Sequence, residues 1–259
     1  MSGKTVGFVG GGRVTHIILA GWKKAGQMPA KVAVSDVSLD VLNRLQARFP
    51  AIETFHNDNR RPASQELVFA ALHPPAMAGC LGEISSCLKP GAMLISLAPK
   101  LSVARLAGVL GGFDRIVRLI PNAPSVIGEG FNPVFYSQAL SGGERGELSS
   151  LLGALGKCPE VDEGKLEAYA ILTAMGPTYL WFQLHELQKI AESFGLSGQE
   201  ARTGLAEMVA GAVTTLLGSG LTAEEVMDLI PVRPLGEDEA NIKAAYHSRL
   251  ESLYAKLKN

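Results

Sequence analysis

The chain of 259 residues carries 24 Lys and Arg against 25 Asp and Glu, a formal net charge of -1, so no broad basic field exists to hold a nucleic-acid backbone or an anionic membrane. Its length suits two modest domains, since domains usually run to about 100–200 residues. Cys80, Cys87 and Cys158 show no C-x-x-C spacing, which argues against a disulfide framework or a zinc site and fits a reducing cytoplasm.

Residues 1–4 run straight into a strand pattern, so no signal peptide is expected. From there short apolar runs rich in β-branched residues alternate with helical patterns: strand 5–9, helix 14–25, strand 31–35, helix 38–49, strand 67–72, helix 75–88, strand 92–97 and strand 115–120. Such alternation means βαβ units and a parallel sheet. Segment 132–136 predicts another strand, 142–155 a helix, and 159–161 a short last strand before the polar turn Asp162-Glu163-Gly164, where the domain boundary is placed. Beyond it, 165–194, 198–217, 222–230 and 237–257 show helical spacing and almost no strand signal. The uncharged stretch 168–184 is shorter than the roughly 20 residues a membrane helix needs and predicts a buried helix instead. The fold class expected is therefore α/β, a Rossmann-type doubly wound sheet over residues 1–163 followed by an all-helical domain over 164–259. Helices apolar on nearly every face need more than one neighbour, which an intimate homodimer through the helical domain supplies.

The segment Gly7-Phe8-Val9-Gly10-Gly11-Gly12-Arg13-Val14-Thr15 follows a strand and opens a helix, the context that a dinucleotide fingerprint requires. Gly10 makes the tight turn, and Gly12 lets the N–H groups and the positive helix N-terminus approach a pyrophosphate. Thr15 stands where a third glycine or alanine is usual, which predicts a slightly wider helix–strand contact. Asp36 ends the second strand and reads either as the acceptor of the adenosine ribose hydroxyls, favouring NAD, or as the N-cap of the next helix. Arg13, Ser35 and Ser38 around it leave NADP open. No H-x-x-x-H or carboxylate cluster points to a metal.

Four segments resemble the pyrroline-5-carboxylate reductase family. Gly7 to Val14 is similar to its G-F-I-G-x-G-N-M, Phe69-Ala70-Ala71-Leu72-His73-Pro74 to its F-A-A-V-K-P, Arg118-Leu119-Ile120-Pro121-Asn122-Ala123-Pro124 to its R-x-M-P-N-T-P, and Thr173-Ala174-Met175-Gly176-Pro177-Thr178-Tyr179 to its S-G-S-G-P-A-Y. The resemblance implies reduction of a cyclic imine, in the manner of 1-pyrroline-5-carboxylate to proline, by hydride from NAD(P)H, with the substrate lodged between the Rossmann cleft and the helical dimer domain. It implies a cofactor site at Gly10, Gly12, Arg13, Val14, Ser35, Asp36, Leu72, His73, Pro74 and Ala98. Asn122 and Thr173 are the expected catalytic residues, with Asn122, Gly176, Pro177 and Arg233 at the substrate.

The chain departs from the family pattern in four places. Ile230-Pro231-Val232-Arg233-Pro234-Leu235-Gly236 replaces the carboxylate-binding S-P-G-G-T-T, so Arg233 is either a substitute carboxylate fork or a surface arginine. His73 stands for a lysine, as ribose partner or plain loop residue, and Ala98-Pro99-Lys100 for A-A-G, with Lys100 either an anion ligand or solvated. Thr173-Ala174-Met175 is bulkier than S-G-S and narrows the pocket. Lys165 and Lys189 lie only at the ends of the long helix, away from where related hydroxyacid dehydrogenases place a lysine acid, so imine reduction is favoured over alcohol oxidation. The alternatives are a reductase of another substrate, a carbonyl or a deazaflavin, and a non-catalytic dinucleotide-binding regulator.

Overall fold

The computed structural model describes residues 3–72 and 74–258. In chain order come β1 (Val6–Val9), α1 (Arg13–Lys24), β2 (Val32–Asp36), α2 (Leu39–Arg48), β3 (Glu53–His56), α3 (Arg60–Ala63), β4 (Leu67–Ala70), α4 (Pro74–Ile84), β5 (Met93–Ser96), α5 (Val103–Val109) and β6 (Ile116–Leu119). Then follow β7 (Gly130–Phe131), β8 (Val134–Tyr136), α6 (Gly142–Gly153), β9 (Gly156–Lys157) and α7 (Leu166–Tyr169), which runs into a π-helical turn, Ala170–Ala174. The last helices are α8 (Pro177–Ser193), α9 (Gly198–Gly218), α10 (Ala223–Asp228) and α11 (Glu239–Lys258).

Seven strands form one sheet in the order β3-β2-β1-β4-β5-β6-β8, parallel as far as β6, with β8 antiparallel at the edge. The chain steps outward from β1 to β3 and then restarts on the other side at β4. Crossovers on the two sides of that switch point leave a crevice at the carboxyl ends of β1 and β4, where doubly wound sheets bind ligands. Strong apolar runs fill the sheet's two faces. On one, Phe8 and Phe69 stack with ring centroids 4.7 Å apart, and Trp22 lies edge-on to Phe69. The Trp22 indole donates to the Leu151 carbonyl at 3.1 Å, which ties α6 to α1. On the other face Val9, Val68, Leu94, Met77, Leu81 and Leu106 pack α4 and α5 down.

Some elements differ from expectation. β3 was not expected: its residues lie at the sheet edge and are exposed or half-buried, so they carry no apolar run. α3 spans four residues, too few for a periodic signal. The strand expected at 159–161 shrinks to one bridge, Val134 to Glu160, because the preceding residues of β9 pair with β7. Helix starts agree with their caps: Ser141, Ser197 and Thr222 each form a capping box with a glutamate three residues on.

The chain divides into two compact units, the first running to Met175 and taking in the end of α11 from Tyr254, the second spanning Gly176–Leu253. The first thus extends past the boundary expected at 163/164. The reason is a buried ion cluster: Arg118 on β6, 2% exposed, donates to Glu163 at 3.1 Å and Glu167 at 2.6 Å, fastening α7 to the sheet. Lys258 adds a bond to the Gly164 carbonyl at 2.7 Å. In the second unit α8 packs on α9, and Tyr179 meets Tyr246 edge-on at 6.1 Å. Among its described residues only Ala201 is buried.

Candidate functional site

The loop after β1 is built by its glycines. Gly10 adopts φ +103°, open only to glycine at low cost, and a Cβ there would come 2.5 Å from the Ala71 carbonyl at the end of β4. Its N–H donates to the Ser35 carbonyl at 2.9 Å, so the turn is pinned across both neighbouring strands. Gly12 is the N-cap of α1 with no capping side chain, and a Cβ on it would meet nothing within 4 Å. The first N–H groups of a 12-residue helix therefore face open space without a protein acceptor, the arrangement in which a helix N-terminus receives a phosphate.

Thr15 explains itself. Its hydroxyl is fully buried and donates to the Gly10 carbonyl at 2.6 Å, so the side chain that displaces the usual third glycine holds the loop closed. Asp36 is a second clasp: one carboxylate oxygen accepts the Gly11 N–H at 2.8 Å, the other the Ser38 N–H at 2.9 Å. The N-cap of α2 is Ser38, which accepts from Val41 N–H, and not Asp36.

Ser35 was expected at the cofactor; its side chain is fully buried and its hydroxyl donates to Asn59 at 2.8 Å, because alternation along β2 turns it into the sheet face opposite to that of Asp36. Of the other expected cofactor residues, Arg13 and Val14 open α1, Leu72 packs against the core beyond β4, and Ala98 is buried after β5. Pro74 is the first residue of α4, and His73 lies outside the described residues.

At the end of β6, Asn122 is buried and its polar atoms are engaged within the chain. Its side-chain oxygen accepts the Phe131 N–H at 3.1 Å, its amide donates to the Thr173 carbonyl at 3.2 Å, and its own N–H donates to Asn132 at 3.0 Å. The Thr173 hydroxyl donates to the Tyr169 carbonyl at 2.8 Å within the π-helical turn. Asn122 and Thr173 are thus brought together, with one amide hydrogen of Asn122 and the lone pairs of the Thr173 hydroxyl left over. Asn132, fully buried and accepting from both Asn122 and Ser125, organises this corner and was missed. A loop asparagine next to a proline gives no signal of that kind. π-Helical turns often mark functional positions.

Lys100 takes φ +83°, where the related pattern has glycine, and its N–H donates to Glu167 at 3.4 Å. A side chain in that conformation costs about 1–2 kcal/mol. Lys100→Gly is expected to raise stability by about 0.5–1 kcal/mol after glycine's extra unfolded-state entropy, read as a higher denaturant midpoint at unchanged slope. In the second unit Gly176 and Pro177 begin α8. Arg233 is exposed and donates to the Met227 carbonyl at 2.8 Å, closing the end of α10. No metal-binding cluster and no helix long and apolar enough to cross a membrane occur among the described residues.

Sheet order, glycine turn and bare helix N-terminus define a Rossmann-type dinucleotide-binding protein with a helical unit appended. The family model for NADP oxidoreductase, coenzyme F420-dependent, matches residues 5–100, the part that builds this loop. The pyrroline-5-carboxylate reductase of Pseudomonas aeruginosa is 24% identical over 98% of this chain and 92% of its own, and pyrroline-5-carboxylate reductase 3 of Bos taurus is 28% identical over 84% and 70%. The pyrroline-5-carboxylate reductase structure from Coxiella burnetii superposes with TM-score 0.71 at 26% identity, covering 99% of this chain and 95% of the other. The Plasmodium falciparum pyrroline carboxylate reductase with NADP bound reaches TM-score 0.83 at 19% identity, covering 100% and 98%. The chain is thus similar over nearly its whole length to pyrroline-5-carboxylate reductases.

Proposed function

We propose that the protein is an NAD(P)H-dependent oxidoreductase that reduces the C=N bond of a cyclic imino acid, 1-pyrroline-5-carboxylate to proline or a close relative of that pair. The observation that carries the reading is the uncapped start of α1 at Gly12, which offers backbone N–H groups to a pyrophosphate on the same chain that resembles these reductases end to end.

The residues present fit the cofactor: donors without acceptors, and space where a Cβ would stand. When bound, the reduced nicotinamide supplies the hydride, so the chain's task is positioning and polarity. Asp36 and Gly11 hold the loop shape that receives the diphosphate. Asn122 acts mainly as a positioning residue, fixing the Thr173 carbonyl, while the Thr173 hydroxyl accepts from the substrate side. A substrate that arrives as an iminium needs no protein acid. In the second unit Gly176, Pro177 and Arg233 are the residues assigned to the substrate, Arg233 with one of its five N–H donors engaged and suited to a carboxylate in place of the S-P-G-G-T-T loop.

A second copy of the chain covers the helical unit. Trp181, Phe182, Phe194 and Leu217 are between 52% and 82% exposed, and a segment that buries one residue of its own has no core. The three free cysteines suit a reducing compartment, and the cytoplasm is where this reading places the enzyme.

The test is consumption of NADH or NADPH with a panel of cyclic imines, on a preparation whose mass is measured by light scattering. Saturable turnover of 1-pyrroline-5-carboxylate or a neighbour by a dimer or larger assembly is expected. Turnover confined to carbonyls or a deazaflavin overturns the substrate class. Tight nucleotide binding with no turnover makes the protein a regulator, and a monomer removes the second copy.

A further inference from the structure

The antiparallel pairing of β6 with β8 runs out at a proline. Its last rung is the Ile120 N–H, which donates to the Pro133 carbonyl at 3.0 Å; the reciprocal bond cannot form, because Pro133 has no N–H. Beyond that point two asparagine side chains stand in for the main chain. Asn132 takes the Asn122 N–H on its side-chain oxygen at 3.0 Å, and Asn122 takes the Phe131 N–H on its own at 3.1 Å, so each side chain holds the other's segment. Asn132 is fully buried, and the same oxygen accepts the Ser125 hydroxyl at 2.9 Å while its amide donates to the Leu155 carbonyl at 3.4 Å.

These bonds reach both of the expected catalytic residues. With its main chain held, Asn122 donates its amide to the Thr173 carbonyl at 3.2 Å. That carbonyl is open to it because the residue four places on, whose N–H an α-helix would use, is Pro177. Segment 123–127 meanwhile lies on α1, the helix that starts beside Gly12, and a Cβ on Gly21 would stand 2.4 Å from the Ser125 carbonyl. Asn132 therefore joins the end of β6, the π-helical turn that carries Thr173 and, through Ser125, the helix whose N-terminus faces the diphosphate. Without its oxygen the Asn122 N–H and the Ser125 hydroxyl are buried with no acceptor and must move to find one.

We propose that Asn132 is a positioning residue for hydride transfer, which fixes the Asn122–Thr173 pair at a set place relative to the diphosphate-binding helix. Fully buried, it acts through Asn122 and Ser125 rather than on substrate or cofactor. This role rests on the oxidoreductase reading above and adds to it the residue on which the geometry of the reacting groups depends.

The test compares the full-length wild type with Asn132→Ala, Ser125→Ala and, as a loss of core packing under α4, Leu81→Ala. NADPH and NADH affinities are read by nucleotide fluorescence. The hydride step is read by single-turnover decay of reduced-nicotinamide absorbance at saturating 1-pyrroline-5-carboxylate, or the cyclic imine that the wild type turns over fastest. Asn132→Ala is expected to slow that step about tenfold to a hundredfold, with nucleotide affinity kept within about twofold, because misplacement by about 1 Å costs that much in rate. Ser125→Ala removes one donor and keeps the acceptor, and is expected to slow the step about threefold. Leu81→Ala is expected to lower the denaturant midpoint and leave the step unchanged. A wild-type rate in both corner variants, or equal slowing in Leu81→Ala, makes Asn132 a stability residue and overturns the proposal. So does a parallel loss of nucleotide affinity and rate, which a general loosening of the fold produces. Should Asn132→Ala fail to fold, the rate of Ser125→Ala against that of Leu81→Ala decides. Absence of turnover by the wild type with every cyclic imine removes the oxidoreductase reading, and this role of Asn132 with it.

Discussion

Gly12→Asp is expected to abolish measurable NAD(P)H binding, a loss of at least a hundredfold, while leaving the protein as stable as wild type or slightly more so. Gly12 has extended backbone angles, φ -71° and ψ -161°, and room for a side chain. Aspartate is among the best N-caps and gains from the helix dipole, so the fold benefits by about 0.5–1 kcal/mol. The same carboxylate then occupies the N–H groups that a pyrophosphate needs and repels its charge at contact distance. Nucleotide titration beside a denaturation curve separates the two effects. Unchanged binding with a capped helix would place the nucleotide elsewhere. Gly10→Ala is the contrasting change, since it loses stability as well through its backbone angle and the Ala71 carbonyl.

Arg118→Ala is expected to cost about 3–5 kcal/mol of stability, because it strands Glu167 in a site only 6% exposed. Burial pushes the Glu167 carboxyl up, but the Arg118 hydrogen bond and charge outweigh it and hold the group below the usual carboxylate range. With a depressed folded value, the contribution is present above the ordinary glutamate range and is lost as pH falls through the depressed value. In Arg118→Ala burial, the largest influence, is opposed only by backbone hydrogen bonds such as that from Lys100, so the folded value is expected to rise and stability to fall as pH rises through the carboxylate range, the opposite slope in mildly acid solution. Adding Glu167→Gln is expected to recover part of the loss and flatten that slope. Denaturant midpoints across mildly acid pH read both effects, and parallel slopes in wild type and variant would remove the ion cluster from the account of why α7 stays on the sheet.

Asparagine 122 shows how far sequence reasoning reaches at the site. Its position after a strand, flanked by prolines, was legible, and so was its likeness to a known pattern. That its amide would be tied to Thr173, 51 positions away, was not, because such a bond depends on where a π-helical turn lands after the chain has crossed the sheet. The bond from Ser35 to Asn59 was hidden for a similar reason: the strand was legible, but what lies against each of its faces is fixed only once β1 and β3 pair on either side.

The sequence by itself determined the βαβ order, the glycine turn and the family likeness, since each rests on local spacing or on residue types that only one local conformation tolerates. Only the tertiary structure decided that Thr15 locks the loop, that Arg118 draws residues 163–175 into the first unit, and that Asn132 holds Asn122. These join residues on separate elements, and a polar side chain in sequence carries no record of the partner that packing will bring to it.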